Sequence, residues 1–235
     1  MKQLTGIGAS FGIAINEAYI LSEPVFTITD QAVSNVDDEY QHYLSALIAS
    51  TEQLTKIKDM VLKKLGEEKA NIFDAHILLI QDPEIQKEVE STIKTNKCNA
   101  AYVVEQIYNR YHDIFAKMTD AYFKERAADI IDVKKRILSN LLHIPMPDIV
   151  SIDHPVIIVA HDLAPSQTAL LDKKFIKGFI TEIGGKTSHA AIMARSMEIP
   201  AILGTNNLLS NVKSGDIIGM DGSTGDVEIQ PDIKV

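Results

Sequence analysis

Two glycines, a lysine, two hydroxyls and a histidine stand together at Gly184-Gly185-Lys186-Thr187-Ser188-His189. The glycine pair lets the backbone turn sharply and come close to a ligand. His189 then opens a run at helical spacing, Ala190, Ile192, Met193 and Met197, which Thr187 or Ser188 can cap. Pro200 predicts that this helix stops before it, and Ala201-Ile202-Leu203 reads as a short buried strand. A helix N-terminus offers backbone N–H groups and the positive end of the dipole to a phosphate, and the hydroxyls of Thr187 and Ser188 add donors. Imidazole, with an ordinary pKa of roughly 6.5, is a competent nucleophile near neutral pH. The spacing therefore suits a histidine that takes up a phosphoryl group and gives it away. The competing reading is a core or surface histidine beside a helix cap, the usual situation of a histidine taken alone.

The composition bounds the classes. With 235 residues the chain can hold one large domain or two small ones. A hydrophobic share of 46% and a charged share of 23% are ordinary for a soluble globular protein. The net charge of −9 argues against a general nucleic-acid binder and is compatible with a basic protein partner. The single Cys98 excludes an intramolecular disulfide and a cysteine-rich zinc site, and fits a reducing cytoplasm. The N-terminus lacks the apolar core of a signal peptide, and no run approaches the ~20 apolar residues of a membrane span.

Elements that would position the histidine follow from the period of the apolar residues. Residues 3–9 and 12–21 read as two strands around a glycine-rich bend. GIGASFG there invites a dinucleotide-loop reading, against which its third glycine is misplaced and a strand-like run follows where a helix should start. From about Asp37 the period becomes 3.6: a long helix to Leu65, a break at Gly66, a helix over Glu67–Ile80, and a third capped by Asp82 with Pro83 at its first position. A fourth starts after Asn99 and a fifth runs over about 121–142, which reads as an antiparallel bundle. After a proline-containing linker at 143–152 the pattern turns α/β. Strands are expected at Val156–Ala160 and Ile176–Glu182, a short helix at Pro165–Leu171, and a hairpin of Asp216–Asp221 with Asp226–Gln230. The strands at the two chain ends should pair, making the bundle an insertion in one α/β domain. Asp221–Asp226 lacks the ligand series of a calcium loop.

GGKTSHAAIMAR, followed by Pro200-Ala201, resembles the phosphohistidine motif of the phosphoenolpyruvate-utilising enzymes. Lys186 stands where arginine is expected, keeping the charge without the bidentate fork. Two further strings, GEEKANIFDAHILLIQD (66–82) and KERAAD with Asp132 and Lys135-Arg136 (124–136), resemble the N-terminal part of the Enzyme I family, with Ile131 in place of an expected arginine. The resemblance implies an α/β phosphohistidine domain of the swivelling type (1–29 and 144–235) with an inserted all-α helical bundle (30–143). It implies that His189 carries the phosphoryl group on Nε2, that the Thr168 hydroxyl orients its imidazole, and that Lys69 reaches the phosphoryl group from the bundle. Glu67, Glu68, His76 and Arg126 would face the histidine phosphocarrier protein HPr; Gly185, Lys186, Thr187 and Ser188 are the phosphate-binding candidates. Lys69 and His76, seven apart, share a helix face; His76 there could equally be a packing residue.

The resemblance further implies a phosphoenolpyruvate-protein phosphotransferase serving sugar uptake in the bacterial cytoplasm. Its phosphoenolpyruvate and magnesium sites, and its dimer contact, belong to a separate C-terminal domain, so no cofactor is expected in this chain. Two other readings compete: a swivelling domain of a dikinase or phosphoenolpyruvate synthase, and a non-catalytic interaction bundle. The helical insertion speaks against the first and the intact histidine motif against the second.

Overall fold

The computed structural model describes residues 2–231. The chain divides into two compact units: residues up to Glu23 with those from Pro147 onward, and Pro24–Met146. The first border lies six residues before the expected one and the second three after it.

The first unit is built on an eight-stranded mixed sheet. Its strands are β1 (Lys2–Thr5), β2 (Ile7–Ser10), β3 (Ile13–Leu21), β4 (Val156–Ala160), β5 (Ile176–Thr181), β6 (Ala201–Leu203), β7 (Ile217–Asp221) and β8 (Asp226–Ile229), in spatial order β1-β8-β7-β3-β4-β5-β6-β2. β3, β4, β5 and β6 run parallel, while β7, β8, β1 and β2 join antiparallel. The two chain ends do pair, Lys2 opposite Ile229 and Thr5 opposite Asp226.

Central β4, VIIVA, is buried at every position. Its side chains alternate between two apolar clusters: Val156, Ile158 and Ala160 in one, Ile157 and Val159 in the other. Burial on both faces is what an unbroken apolar run means in a parallel sheet. The helix α7 (His189–Met197) covers the first face with Ala190, Ala191, Ala194 and Met197. The short helix α8 (Leu208–Asn211), which sequence reading missed, contributes Leu208 to the second. The N-terminal run expected as a single strand is two strands. It breaks at Gly6, whose N–H binds the Gly225 carbonyl at 2.8 Å, because β1 pairs with β8 and β2 with β6 at the opposite sheet edge.

The second unit is helical: α1 (Val36–Leu65), α2 (Glu67–Ile80), α3 (Pro83–Asn96), α4 (Ala100–Ala116) and α5 (Ala121–Leu142). The Asn35 side chain caps α1 by accepting from the N–H groups of Asp37 and Asp38. Gly66, at φ 93°, separates α1 from α2 in a conformation that side chains rarely adopt. Asp82 caps α3 through Glu84 and Ile85, with Pro83 where its missing N–H costs nothing. The core is made by Tyr43, Leu54, Phe73, Val89, Tyr108 and Leu138, all essentially without exposure. Among the described residues no helix is long and apolar enough to cross a membrane.

Candidate functional site

The turn before α7 follows from local chemistry. Gly184 takes φ 108°, the Ser188 N–H binds the Gly185 carbonyl at 2.9 Å, and the Thr181 hydroxyl donates to the Ile183 carbonyl at 2.6 Å. Ser188, not Thr187, is the cap: its hydroxyl accepts from the Ala191 N–H at 3.3 Å, and its carbonyl accepts from the Ile192 N–H at 3.1 Å. Such a cap contributes about 1 kcal/mol to a helix. His189 is the first residue of α7, and its side chain is exposed. Lys186 and Thr187 are exposed too, and Gly185 is partly so. Five of the candidates, Gly185 to His189, thus form one turn of backbone leading into a helix N-terminus, where the dipole favours an anion.

Thr168 sits on the short helix α6 (Pro165–Ala169), which packs against α7. The residue has no exposure, and its hydroxyl donates to the Pro165 carbonyl at 2.8 Å. With its proton so placed, the oxygen keeps lone pairs that can only accept. Pro165 opens α6, and the Gln167 side-chain oxygen takes the Ala164 N–H at 2.8 Å.

The remaining candidates belong to the helical unit. Glu67 and Glu68 are exposed in the first turn of α2, where acidic groups suit the dipole. Lys69 follows them and is half-buried; burial pushes its ammonium down from the ordinary lysine value, opposed by Glu68. His76 requires a correction. Expected to face a partner, it is 1% exposed and belongs to the buried stripe Ala70, Phe73, His76 and Ile80. The physical reason is the 3.6 period, which continues that stripe through position 76. Its Nε2 lies 3.2 Å from Asp129 Oδ1, while Arg126 donates to Asp129 Oδ2 at 3.3 Å. The carboxylate of Asp129 therefore links a buried ring to a guanidinium at the surface. In the sequence Asp129 only closes the string KERAAD, and nothing in that string marks it as the partner of a histidine 53 positions away. The side chains of Lys124 and Glu125, from the same string, lie outside the described ones.

Beside this triplet is an apolar recess of about 330 Å³, lined among others by Leu78, Leu79, Phe115, Phe123 and Arg126. Leu78 is 69% exposed, and Phe115 meets Phe123 edge to face at 5.8 Å between ring centres. Sequence reading missed the recess, since it arises where α2, α4 and α5 meet rather than in one string. The apolar pair Leu78-Leu79, one residue too wide for a buried stripe, was the available signal.

Comparison with known proteins adds to this geometry. The family model of the N-terminal part of PEP-utilising enzymes matches residues 5–126, and that of their mobile domain matches residues 152–225. The chain belongs to the PEP-utilising enzymes. Among curated members of the family, the phosphoenolpyruvate-protein phosphotransferase of Mycoplasma capricolum is 51% identical over 97% of this chain, and that of Staphylococcus carnosus is 45% identical over all of it. The chain spans about two fifths of their length, 40% and 41%. A solved structure of an Enzyme I protein is 41% identical, with a TM-score of 0.87 over 98% of this chain and 94% of that one. A second, the N-terminal domain of "Enzyme 1 - Nitrogen", shares the fold alone at 22% identity and a TM-score of 0.61. Within the PEP-utilising enzymes, this chain thus looks like the N-terminal part of a phosphoenolpyruvate-protein phosphotransferase.

Proposed function

We propose that this chain is the phosphoryl-carrying part of an Enzyme I. His189 accepts a phosphoryl group and passes it reversibly to a histidine of HPr. One observation carries the reading: among seven histidines, His189 is placed as the first residue of a capped helix behind a diglycine turn. The Thr168 oxygen, acceptor only, accepts a hydrogen bond from the imidazole Nδ1–H. That fixes the tautomer in which Nε2 keeps its lone pair. Nε2 attacks the phosphorus, the donor nitrogen leaves with its electron pair, and the N-terminus of α7 stabilises the equatorial oxygens.

The partner docks on the helical unit. Leu78, Leu79 and Phe123 offer an apolar seat, Arg126 is held in position by Asp129, and Glu67 and Glu68 present negative charge to a basic partner. Two other acidic groups of this region are already engaged, Asp74 with Lys58 at 2.6 Å and Asp82 with the α3 cap. Steering therefore falls to Glu67 and Glu68. In the full-length enzyme, phosphoenolpyruvate and magnesium bind a C-terminal domain, and the protein acts in the cytoplasm for sugar uptake.

Both sides of the exchange with HPr are phosphohistidines of similar energy, so the reaction should run in either direction. Incubated with phosphorylated HPr, the 235-residue chain is expected to gain one acid-labile, base-stable phosphoryl group and to return it to unphosphorylated HPr. Intact-mass measurement decides; no gain with a competent donor sinks the proposal. Lys69, with its ammonium partly desolvated, is assigned to neutralise the moving phosphoryl group from the helical unit. Lys69→Ala should slow transfer about 100–1,000-fold, the effect of losing one donor to the charge of a transition state. Its melting temperature should stay near that of the parent. A transfer rate equal to the parent's in stopped-flow quench experiments removes Lys69 from the mechanism.

A further inference from the structure

We infer that Arg195 is a positioning residue for His189, acting as a clamp between the phosphate-binding turn and an irregularity in the sheet. The inference rests on the reading of His189 as phosphoryl carrier. Arg195 lies on α7 itself, in the last turn of the helix that His189 opens. Its Nη1 donates to two backbone carbonyls, Lys186 at 3.0 Å and Ala9 at 3.1 Å. One NH₂ group carries two hydrogens, so both bonds can be made at once.

Each accepting carbonyl is informative. In the pairing of β2 with β6, Gly8 lies opposite Ile202 and Ser10 opposite Ala201, so Ala9 is an extra residue with no partner of its own. A bulge of this kind leaves a polar backbone group outside the ladder, and Ala9 is only 6% exposed. Arg195 supplies the missing donor. The second carbonyl, that of Lys186, lies in the turn between Gly185 and the cap Ser188. Because a trans peptide is planar, fixing the Lys186 carbonyl toward Arg195 aims the Thr187 N–H the opposite way. The clamp thus sets the direction of a donor in the turn and the height of the turn against the sheet, two residues before Ser188 and three before His189.

Glycine-rich turns are free to adopt other conformations, and Gly184 and Gly185 make this one no exception. A misplacement of about 1 Å at a reacting group can reduce a rate by a factor on the order of 100. Arginine suits the task where lysine does not: its fork is planar and holds two acceptors in fixed directions, while an ammonium on a mobile stem cannot. Arg195 itself is exposed, so its removal leaves no cavity in the core.

The test compares Arg195→Lys and Arg195→Ala with the parent chain, using phosphorylated HPr as donor. Expected are a fall in the maximal rate of about 10–100-fold with the KM for phosphorylated HPr nearly unchanged, since the turn is remote from the docking helices in sequence and lies in the other unit. The lysine variant should keep most of the melting temperature and recover little of the rate. Methylguanidine at low millimolar concentration should partly restore Arg195→Ala and leave the parent unaffected. A maximal rate like the parent's in both variants overturns the inference, as does a loss that appears only in KM or only in proportion to unfolded protein. A parent chain that takes up no phosphate would instead refute the reading of His189.

Discussion

Replacing His189 with alanine is expected to abolish phosphoryl uptake from phosphorylated HPr while moving stability by no more than about 0.5 kcal/mol. The side chain is exposed at the first position of α7, so the change removes no core packing and leaves the Ser188 cap in place. No other histidine can substitute. His42 and His112 are on helices α1 and α4, His143 follows α5 at φ 54°, and His76 is buried. His161 lies just after β4, its Nδ1 2.9 Å from Glu182, and His154 precedes the same strand with its Nδ1 3.0 Å from Asp153. None of them opens a helix. Mass spectrometry of the variant after exposure to the donor should show only unmodified protein. A variant labelled to the parent's stoichiometry would falsify the assignment of His189.

The second large effect is one of stability. Gly222→Ala should destabilise the sheet unit by about 1–3 kcal/mol, the range of forced overpacking. A methyl group there would fall on the Ser10 carbonyl oxygen and press on the Ala201 N–H, both backbone groups of paired strands. Neither can rotate away, and the Gly222 N–H is held by the Gly12 carbonyl at 2.8 Å. The strain enters at the bulge beside Ala9, so the variant should also lose transfer rate beyond its loss of folded protein. Gly185→Ala, where a methyl group would meet nothing within 4 Å, is the control for thermal stability. Melting curves that superimpose for Gly222→Ala and the parent would show that the strands yield where the packing says they cannot.

What could be read in the sequence is what depends on neighbours along the chain. VIIVA at 156–160 announces a strand buried on both faces, and Asp82-Pro83 announces a helix start, because period and capping are local. The turn and helix around His189 were legible for the same reason. Contacts made across the fold were not. The break at Gly6 is decided by which distant strands β1 and β2 find as partners. The bulge at Ala9 exists only in the pairing with β6. His76 lay on a face correctly grouped with Lys69, but whether that face meets solvent or α5 depends on the packing of helices, and Asp129 decides it. The recess at Leu78 likewise needs three helices at once.

The parallel pairing of β3 with β4 has a consequence for how the protein is made. Glu17–Leu21 bind Val156–Ala160, and the whole helical unit is translated between them. At about 5–20 residues per second, β3 emerges from the ribosome seconds before its central neighbour exists. Its antiparallel neighbour β7 comes later still. Helices, by contrast, have partners close in sequence, such as α1 with α2 and α4 with α5. The bundle can therefore assemble during synthesis, while a strand carrying Ile13 and Ile15 on its exposed side waits unpaired. For this chain the hazardous interval of biosynthesis lies between those two strands, and its length is set by the size of the insertion.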